Sequence, residues 1–223
     1  MFDRIAPRYD LLNRLLSAGT DVRWRRAAVD FLGLEGPLRI LDLCTGTADL
    51  LIEALGREPG NRGAGIDLSR EMLVRGARKL SGRGLSKRAA LAAGDAEGLP
   101  FADGSFGAAL VAFGVRNVGD VYGSLREVRR VLAPGGRFVI LEFSMPTGPL
   151  GALYRLYFGQ VLPRIGALVS GDAAAYSYLP ASVGRFLSPA ALAALMEAAG
   201  FQDVVRRPLT LGIAQLYRGT KPA

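Results

Sequence analysis

The segment Ile40–Leu50, with the sequence ILDLCTGTADL, contains a short apolar run, a turn and the start of a second apolar pattern. The run before Thr45 predicts a buried strand, and the spacing of apolar residues from Leu50 onward predicts a helix. Gly46 in the turn lets the backbone come close to a ligand, and a helix N-terminus offers N–H groups without an intrahelical partner. A nucleotide-like molecule is therefore the expected occupant of this strand-turn-helix unit.

The residues around Gly46 indicate which nucleotide would bind. A dinucleotide fingerprint, G-x-G-x-x-G, has three glycines, but here only Gly46 is a glycine and two acids, Asp42 and Asp49, flank the turn. Carboxylates at this place would repel a pyrophosphate and would attract the ammonium and sulfonium groups of S-adenosylmethionine. A second interpretation stays open, in which Asp49 is only a first-turn acid that interacts favourably with the helix dipole.

The composition sets the broad class of the protein. A length of 223 residues with 50% apolar residues suits one α/β domain, which we expect to span residues 1–223. No run approaches about 20 apolar residues, and the N-terminus lacks a secretory signal pattern, so we expect a cytoplasmic protein. The sequence has one cysteine, Cys44, and no histidine. These counts exclude Ser-His and Cys-His catalysis, and no metal site is predicted.

The formal net charge of +8 raises the question of an anionic partner. The basic residues are scattered, and no basic run interleaved with aromatic residues resembles a nucleic-acid-binding surface. We therefore expect no nucleic acid partner. A solvated basic surface is the simplest interpretation of the charge, and peripheral contact with the anionic inner face of a membrane is the more specific one.

Acids also follow the next two predicted strands. Asp67 lies 21 residues beyond Gly46, at the end of the second strand, where a carboxylate can accept both ribose hydroxyls of a bound nucleoside. Asp95 ends the third predicted strand, Arg88–Asp95, so its carboxylate could accept the adenine amino group while Ala96 donates its backbone N–H. The pairing of Gly46 with Asp67 makes the nucleoside interpretation more specific than the turn alone.

Arg116 and Asn117 follow the fourth predicted strand, Ala108–Phe113. Side chains at the carboxyl end of a central parallel strand face the ligand crevice, so both residues are candidates for the site. An arginine paired with a surface acid and an asparagine in a turn would give the same dipeptide. The fifth predicted strand, Arg137–Phe143, is nearly all apolar until its end, where Glu142 appears.

Two segments lie outside the alternation of strands and helices. Residues 1–32 predict helices whose polar face could form a lid over the nucleotide turn. Met145–Leu187 is rich in Leu, Tyr and Phe, and we expect it to form helices that cover an apolar substrate. The remaining sequence predicts a helix from Ser188 and two final strands, Phe201–Arg206 and Gly212–Arg218, paired as an antiparallel hairpin at the sheet edge.

Several motifs in fixed order cover nearly the whole chain: MFDRIAPRYD, LDLCTGTAD, GDAEGLPF, AFGVRNV, RVLAPGGRFVILEFS and GDAAAYSYLPAS. In these motifs the chain resembles the quinone C-methyltransferases of menaquinone and ubiquinone biosynthesis. The PGG and LDLxxGTxD turns recur in many methyltransferases, whereas the Tyr-Asp, FGxRN and EFS segments are discriminating. The resemblance implies the α/β class I S-adenosylmethionine-dependent methyltransferase fold, which is Rossmann-like and has a seven-stranded, mostly parallel sheet with one antiparallel strand.

The resemblance also implies an activity, which is C-methylation of a reduced polyprenyl quinone. Demethylmenaquinol is the expected substrate and S-adenosylhomocysteine the expected product. Methylation of the benzoquinol intermediate of ubiquinone biosynthesis is the nearest alternative. An NAD-dependent dehydrogenase and a basic nucleic-acid-binding protein without catalysis are alternatives from other classes, and a homodimer is compatible with all of these interpretations.

The resemblance carries over site residues as well. The expected catalytic residues are Arg116, Asn117 and Tyr9. Arg116 would stabilise the charge of the deprotonated quinol, while a water or a neighbouring carboxylate accepts the proton, because arginine stays protonated. The expected cofactor-binding residues are Asp42, Gly46, Thr47, Asp49, Asp67, Leu68, Met72, Asp95, Ala96 and Ala112.

The chain departs from the family pattern at two positions. The usual Gly-Thr-Gly-Asp turn has Ala48 in place of its second glycine. A methyl group there is tolerable only if the backbone keeps a helical φ, so weaker cofactor binding is the expected consequence. Asp21 stands where the family often has a histidine, and a histidine base is excluded because the chain has none.

Overall fold

The computed structural model describes residues 17, 19–33, 35–146, 151 and 181–223. Several predictions concern residues outside this described part of the chain. They are the catalytic role of Tyr9, the part of the predicted lid that lies in residues 1–16, and most of the predicted substrate cover in residues 145–187.

Strands and helices alternate along the described chain. The helices are α1 Thr20–Leu32, α2 Asp49–Arg57, α3 Arg70–Gly82, α4 Val121–Val131 and α5 Pro189–Ala198. The strands are β1 Arg39–Leu43, β2 Arg62–Asp67, β3 Ala89–Ala93, β4 Phe106–Ala112, β5 Leu132–Phe143, β6 Gln202–Leu209 and β7 Ala214–Thr220. Short 3-10 turns cover Val115–Asn117 and Thr210–Gly212, and residues 181–185 are helical.

Polar side chains cap the N-termini of α3, α4 and α5. The Ser69 hydroxyl accepts the Met72 N–H at the start of α3, and the Asp120 carboxylate accepts the Gly123 N–H at the start of α4. Ser188 caps α5 in the same way and is followed by a proline. Such caps satisfy backbone donors that have no partner within the helix, so they fix where each helix begins.

The described strands form a seven-stranded sheet in the order β3-β2-β1-β4-β5-β7-β6. Strands β1 to β5 are parallel, and β7 runs antiparallel to both of its neighbours, β5 and β6. Because β6 is antiparallel to β7, it points in the same direction as β1 to β5. The predicted sheet with one antiparallel strand and a hairpin at its edge is therefore confirmed.

Helices cover both faces of the sheet. Trp24, Ala28 and Leu32 of α1 pack with Ile40 of β1 in one buried cluster, which also contains residues of α2. On the opposite face, residues of α4 and α5 pack with Leu41 of β1 and other strand residues in a second buried cluster. Within the described residues, no helix combines the length and the apolar composition that crossing a membrane requires.

The boundary between α4 and β5 differs from the prediction. The sequence predicts that the fifth strand starts at Arg137, directly after the turn Pro134-Gly135-Gly136. In the structure Leu132 already pairs with Phe106, and the ladder resumes at Ala108 and Arg137 after a register shift. The turn is therefore a bulge within β5, because Gly135 has a φ of 74° and interrupts the pairing without ending the strand.

Candidate active site

A cavity of about 220 Å³ opens at the carboxyl ends of β1, β2 and β4. The order of strands reverses here, since the chain passes from β1 outward to β2 and β3 and returns to place β4 on the other side of β1. Ligands of open α/β sheets bind at such a reversal. Eight residues expected from the sequence lie on the cavity wall: Gly46, Asp67, Leu68, Met72, Asp95, Ala96, Ala112 and Asn117.

The ends of β1 and β4 carry strained backbone in the cavity wall. Cys44 has a φ of 50° and Phe113 a φ of 58°, which are left-handed conformations that non-glycine residues seldom adopt. A Cβ at Gly114 would lie 2.4 Å from the Cys44 Cβ, so only glycine lets the two strand ends approach this closely. Strained residues held by their surroundings cluster at binding sites, and this geometry forms the floor of the cavity.

The Asp67 carboxylate organises the side of the cavity nearest to the turn. Oδ2 accepts the Gly46 N–H at 2.8 Å, and Oδ1 accepts the Ser69 N–H at 2.8 Å. These bonds connect the end of β2 to the glycine turn and to the start of α3. A carboxylate oxygen can accept more than one hydrogen bond, so each oxygen keeps acceptor capacity toward the cavity. This arrangement suits the predicted recognition of two adjacent hydroxyls.

The remaining cavity wall is mainly apolar. Leu68 is 73% exposed at the mouth, which is unusual for a large apolar side chain, whereas Met72 and Ala96 are buried behind it. The Asp95 carboxylate accepts the Glu97 N–H at 3.0 Å, so it sits in a tight turn at the end of the cavity that lies beyond β3. An exposed leucine beside a carboxylate offers stacking area and one acceptor to a flat polar ring.

Asp42, expected at the cofactor, is not on the cavity wall. Its carboxylate is 1% exposed and accepts the Thr45 hydroxyl at 2.5 Å and the Leu51 N–H at 3.2 Å. Burial raises the pKa of Asp42 to about 7, and the charges of Asp67 and Asp49 add to this effect. The side chain therefore braces the turn from inside the protein.

Asp49 and Thr47, also expected at the cofactor, are bound by cationic side chains of α1 and α3. Arg25 lies 3.5 Å from the Asp49 carboxylate, and Lys79 forms an ion pair with it. The Lys79 ammonium also donates to the Thr47 hydroxyl at 3.0 Å. Neither Asp49 nor Thr47 lies on the cavity wall in this arrangement, so any contact with a ligand ammonium would have to compete with these two cations.

Ala48 does not keep the helical φ that the sequence interpretation required. Its φ is 63° and its ψ is 22°, which is left-handed, and it stands at the N-cap of α2. An L-residue in this conformation costs about 1–2 kcal/mol relative to a right-handed one, whereas glycine pays no such cost. The glycine usual in the family is thus explained by backbone conformation. The turn is held in place by its surroundings, since Ala48 is completely buried.

Arg116 and Asn117 lie in the short helical turn after β4, but only Asn117 reaches the cavity wall. The Arg116 side chain is 7% exposed, and its Nη1 lies 2.7 Å from Oε1 of Glu142. The arginine is therefore paired with a buried acid of β5 and not with the surface acid that the sequence left as an alternative. Tyr9, the third expected catalytic residue, is outside the described residues.

Some residues of the site were missed by the sequence interpretation. Cys44 lies on the cavity wall, where burial and the charge of Asp67 raise the pKa of its thiol to about 12. Phe113, at the end of the fourth predicted strand, also lies on this wall. Glu142 was noted without a partner, although an acid ending an apolar strand is a signal that a buried cation lies near it.

Comparison with known proteins agrees with this geometry. The ubiE/COQ5 methyltransferase family matches residues 1–221 of the chain. The demethylmenaquinone methyltransferase of Thermus thermophilus is 52% identical over 223 residues, which is 100% of both chains. The ubiquinone/menaquinone biosynthesis C-methyltransferase UbiE of Syntrophotalea carbinolica is 50% identical over 99% of this chain and 92% of that protein.

Solved structures share the fold at much lower identity. An S-adenosylmethionine-dependent methyltransferase from Aquifex aeolicus has a TM-score of 0.64 at 17% identity and covers 88% of this chain and 89% of its own. Phosphoethanolamine N-methyltransferase 2 of Haemonchus contortus, solved with S-adenosyl-L-methionine, has a TM-score of 0.68 at 14% identity, over 89% of this chain and 52% of its own. The full-length matches and the architecture place the chain in the ubiE/COQ5 methyltransferase family.

Proposed function

We propose that this chain transfers the methyl group of S-adenosylmethionine to a ring carbon of demethylmenaquinol. The observation that supports this most strongly is the full-length identity of 52% to a demethylmenaquinone methyltransferase. The structure adds a cavity at the strand reversal with a carboxylate, Asp67, beside the glycine turn. Among the described residues, the cavity wall carries no cationic side chain, which suits a ligand without phosphate.

The residues present fit S-adenosylmethionine. Asp67 would hold the ribose, Leu68 and Met72 would contact the base, and Asp95 with Ala96 would recognise its polar edge. Gly46 has a φ of 54°, and a Cβ there would meet no atom of the described residues within 4 Å, so these residues leave room for a ligand at the turn. When bound, S-adenosylmethionine supplies an electrophilic methyl group on a sulfonium.

The chain's own residues would then position and activate the quinol. A hydroquinone that has lost a phenolic proton is nucleophilic at its ring carbon, so the protein has to hold that carbon in line with the methyl donor and stabilise the oxygen charge. We assign the stabilising role to Arg116, whose side chain lies beside the cavity but not on its wall, and a positioning role to Asn117, which is on the wall. Arg116 is not the base, because a guanidinium cannot be deprotonated in a protein.

A second substrate is favoured by a specific observation. The Syntrophotalea carbinolica relative at 50% identity is named for both ubiquinone and menaquinone biosynthesis. A benzoquinol differs from a naphthoquinol in ring size and presents the same nucleophilic carbon beside a phenolic oxygen. The proposed chemistry would serve both, and the size of the space beside Asn117 would decide between them.

The proposal also covers the product of the cofactor and the contacts of the protein with a membrane, a second copy and the quinol tail. S-adenosylhomocysteine is the product that methyl transfer would leave. The charge of +8 supports peripheral contact with an anionic membrane, where a polyprenyl quinol would be found. A homodimer and the contact of residues 145–187 with an isoprenoid tail stay predictions. Membership of a methyltransferase family favours catalysis over a purely nucleic-acid-binding role.

The decisive experiment is methyl transfer from S-adenosylmethionine labelled in its methyl group. The purified chain would be incubated with demethylmenaquinol and with the benzoquinol, each as a short-tailed and a long-tailed form, and with the oxidised quinones as controls. We expect label in the reduced naphthoquinol and little or none in the oxidised forms, because only the reduced ring is nucleophilic. Transfer to the benzoquinol alone would replace the substrate, and transfer to neither quinol would overturn the proposed function.

A further inference from the structure

The end of β5 contains a buried ion pair beside the cavity. Glu142 is 1% exposed and Arg116 is 7% exposed, and the distance between Oε1 and Nη1 is 2.7 Å. Leaving either charge unpaired at this depth would be costly, so each side chain restricts where the other can be. The pair joins β5 to the turn after β4, two elements 26 residues apart in the sequence.

Glu142 holds the arginine at both its side chain and its backbone. Oε1 accepts from Arg116 Nη1 and from the Phe143 N–H at 2.8 Å, and Oε2 accepts the Arg116 N–H at 3.2 Å. The carboxylate is therefore itself fixed by its neighbour in β5. A rotation of the carboxylate would break bonds to both ends of Arg116 at once.

Other contacts fix the orientation of the guanidinium plane. Nη1 also donates to the Phe113 carbonyl at 2.5 Å, Nε points to the Ser182 hydroxyl at 3.4 Å, and the guanidinium carbon lies 5.4 Å from the centre of the Phe143 ring. Both N–H groups of Nη1 are thus used within the protein. Within the described residues Nη2 donates no hydrogen bond, so one edge of the guanidinium is left for another group.

The Arg116 backbone also connects the pair to the cavity. Phe113 and Asn117, on either side of Arg116 in the same turn, both line the cavity, and the Asn117 N–H bonds to the Gly114 carbonyl at 3.0 Å. Anchoring the Arg116 N–H to Glu142 therefore fixes the turn that presents Asn117. The position of Glu142 consequently affects two of the three residues expected at the reacting ring.

We propose that Glu142 is a positioning residue for methyl transfer: it aligns the Arg116 guanidinium, and the turn that carries Asn117, toward the bound quinol. This rests on the proposed function, in which Arg116 stabilises the charge on the quinol oxygen. Glu142 does not contact the substrate, because its side chain is 1% exposed and does not lie on the cavity wall. The alternative is an ion pair that only stabilises the fold.

The chain offers a matched control for this alternative. Glu127 also binds an arginine and a backbone N–H, since it accepts from Arg130 Nε at 2.8 Å and from the Leu99 N–H at 3.0 Å. The Glu127 and Arg130 side chains are 25% and 31% exposed, and neither lies on the cavity wall. Glu127→Gln therefore removes a paired carboxylate without touching the proposed machinery.

The test compares Glu142→Gln, Glu142→Asp and Glu127→Gln by turnover, by calorimetric affinity for S-adenosylmethionine and by melting temperature. We expect Glu142→Gln to lower kcat by about 10²-fold, as for loss of an aligned charge-stabilising donor, with the affinity changed less than about 3-fold. Glu142→Asp keeps the charge but shortens the side chain, so it should fold and still lose much of kcat. Glu127→Gln should leave kcat unchanged.

A double-mutant cycle separates positioning from general stabilisation. If Glu142 acts through Arg116, adding Glu142→Gln to Arg116→Gln should cause little further loss of kcat, because the aligned group is already absent. Equal losses of kcat in both backgrounds, or equal losses of kcat and cofactor affinity, would overturn the proposal. If the wild-type enzyme methylates a quinol and Glu142→Asp has an unchanged kcat, the proposed role of Glu142 is also overturned. The proposed function would then stay intact. Wild-type inactivity on every quinol would instead refute the proposed function.

Discussion

Two carboxylates at the carboxyl edge of the sheet are buried to the same extent but held in different ways. Asp42 near the end of β1 and Glu142 near the end of β5 are each 1% exposed. Asp42 shares its face of the sheet with Ile40, which packs against α1, whereas Glu142 shares its face with Ile140 in the cluster of α4 and α5. Asp42 is bonded to a hydroxyl and an amide, and Glu142 is bonded to a guanidinium.

The difference shows that burial alone does not determine what an acid does. Without a cation partner, burial raises the pKa of Asp42 to about 7, so a neutral carboxyl can brace the cofactor turn. With a cation partner, Glu142 forms a charge pair with the Arg116 guanidinium. The acid at the end of β1 thus holds a backbone turn, and the acid at the end of β5 holds the Arg116 guanidinium, which we propose it positions for methyl transfer.

The largest expected effect comes from removing the cation of the pair. Arg116→Ala leaves the Glu142 carboxylate buried without its cation. Because a buried charge without a partner is costly, we expect the free energy of unfolding to fall by about 3–5 kcal/mol. Urea denaturation would measure this loss. As a control, Arg57→Ala removes an arginine that is 42% exposed and pairs with Asp30 and Glu53, and it should cost at most about 1 kcal/mol.

A charge-balanced variant sharpens this prediction. Arg116→Gln combined with Glu142→Gln removes both charges, so most of the lost stability should return while methyl transfer stays low. If the double variant is as unstable as Arg116→Ala, the loss comes from packing and hydrogen bonds of the arginine and not from a stranded carboxylate.

A third acid, Asp67, is half-buried and, within the described part of the chain, accepts hydrogen bonds from the backbone N–H groups of Gly46 and Ser69. In Asp67→Asn an NH2 group replaces one carboxylate oxygen. This group cannot accept a hydrogen bond, so either a ribose hydroxyl or a backbone N–H loses its acceptor. We expect S-adenosylmethionine to bind more weakly by about 1.5–3 kcal/mol, the value of a hydrogen bond to a charged group. Calorimetry would measure the dissociation constant, and Asp103→Asn, at an exposed acid away from the cavity, should leave it unchanged.

The raised pKa of Asp42 predicts how stability depends on pH. The folded protein binds this proton more tightly than the unfolded chain, so the stabilisation is present at low pH and is lost as the pH rises from about 3.8 toward 7. Relative to Asp42→Asn, wild type should lose about 2 kcal/mol of stability between pH 5 and pH 7. Unfolding curves of both proteins at the two pH values test this, and a constant difference would show that Asp42 is charged throughout.

The sequence contained enough information for the fold and for the side of the cavity formed by β2. The change of apolar periodicity at the turn, the spacing of Asp67 from Gly46 and the resemblance in the motifs all depend on local pattern. These features predict strands, helices and strand ends directly, because the ends of parallel strands meet at one edge of the sheet. The seven-stranded, mostly parallel sheet with one antiparallel strand followed from the resemblance, and the structure confirms it and identifies the antiparallel strand as β7.

The sequence did not contain enough information for contacts between distant elements. Asp42 and Asp49 look alike beside the turn, yet Asp42 is buried while Asp49 is held by Arg25 from α1 and Lys79 from α3. The partner of Arg116 is likewise on another strand. Direction of a side chain and pairing of charges are tertiary properties, so a motif can place an acid at a strand end without showing whether it faces a ligand or the protein.

The smallest expected effect concerns the backbone of the turn that Asp42 braces. Ala48 and Ala54 are both fully buried alanines, but Ala48 is left-handed before α2 and Ala54 is within the helix. Ala54→Gly should lower stability by about 1.5–2 kcal/mol, from helix propensity and a lost methyl group. Ala48 lies at the N-cap and not within the helix, so only the lost methyl group counts there, and relief of about 1–2 kcal/mol of strain offsets it; stability should stay within about 1 kcal/mol of wild type. Thermal unfolding of the two variants measures the difference, and equal losses would mean that residue 48 is not left-handed in solution.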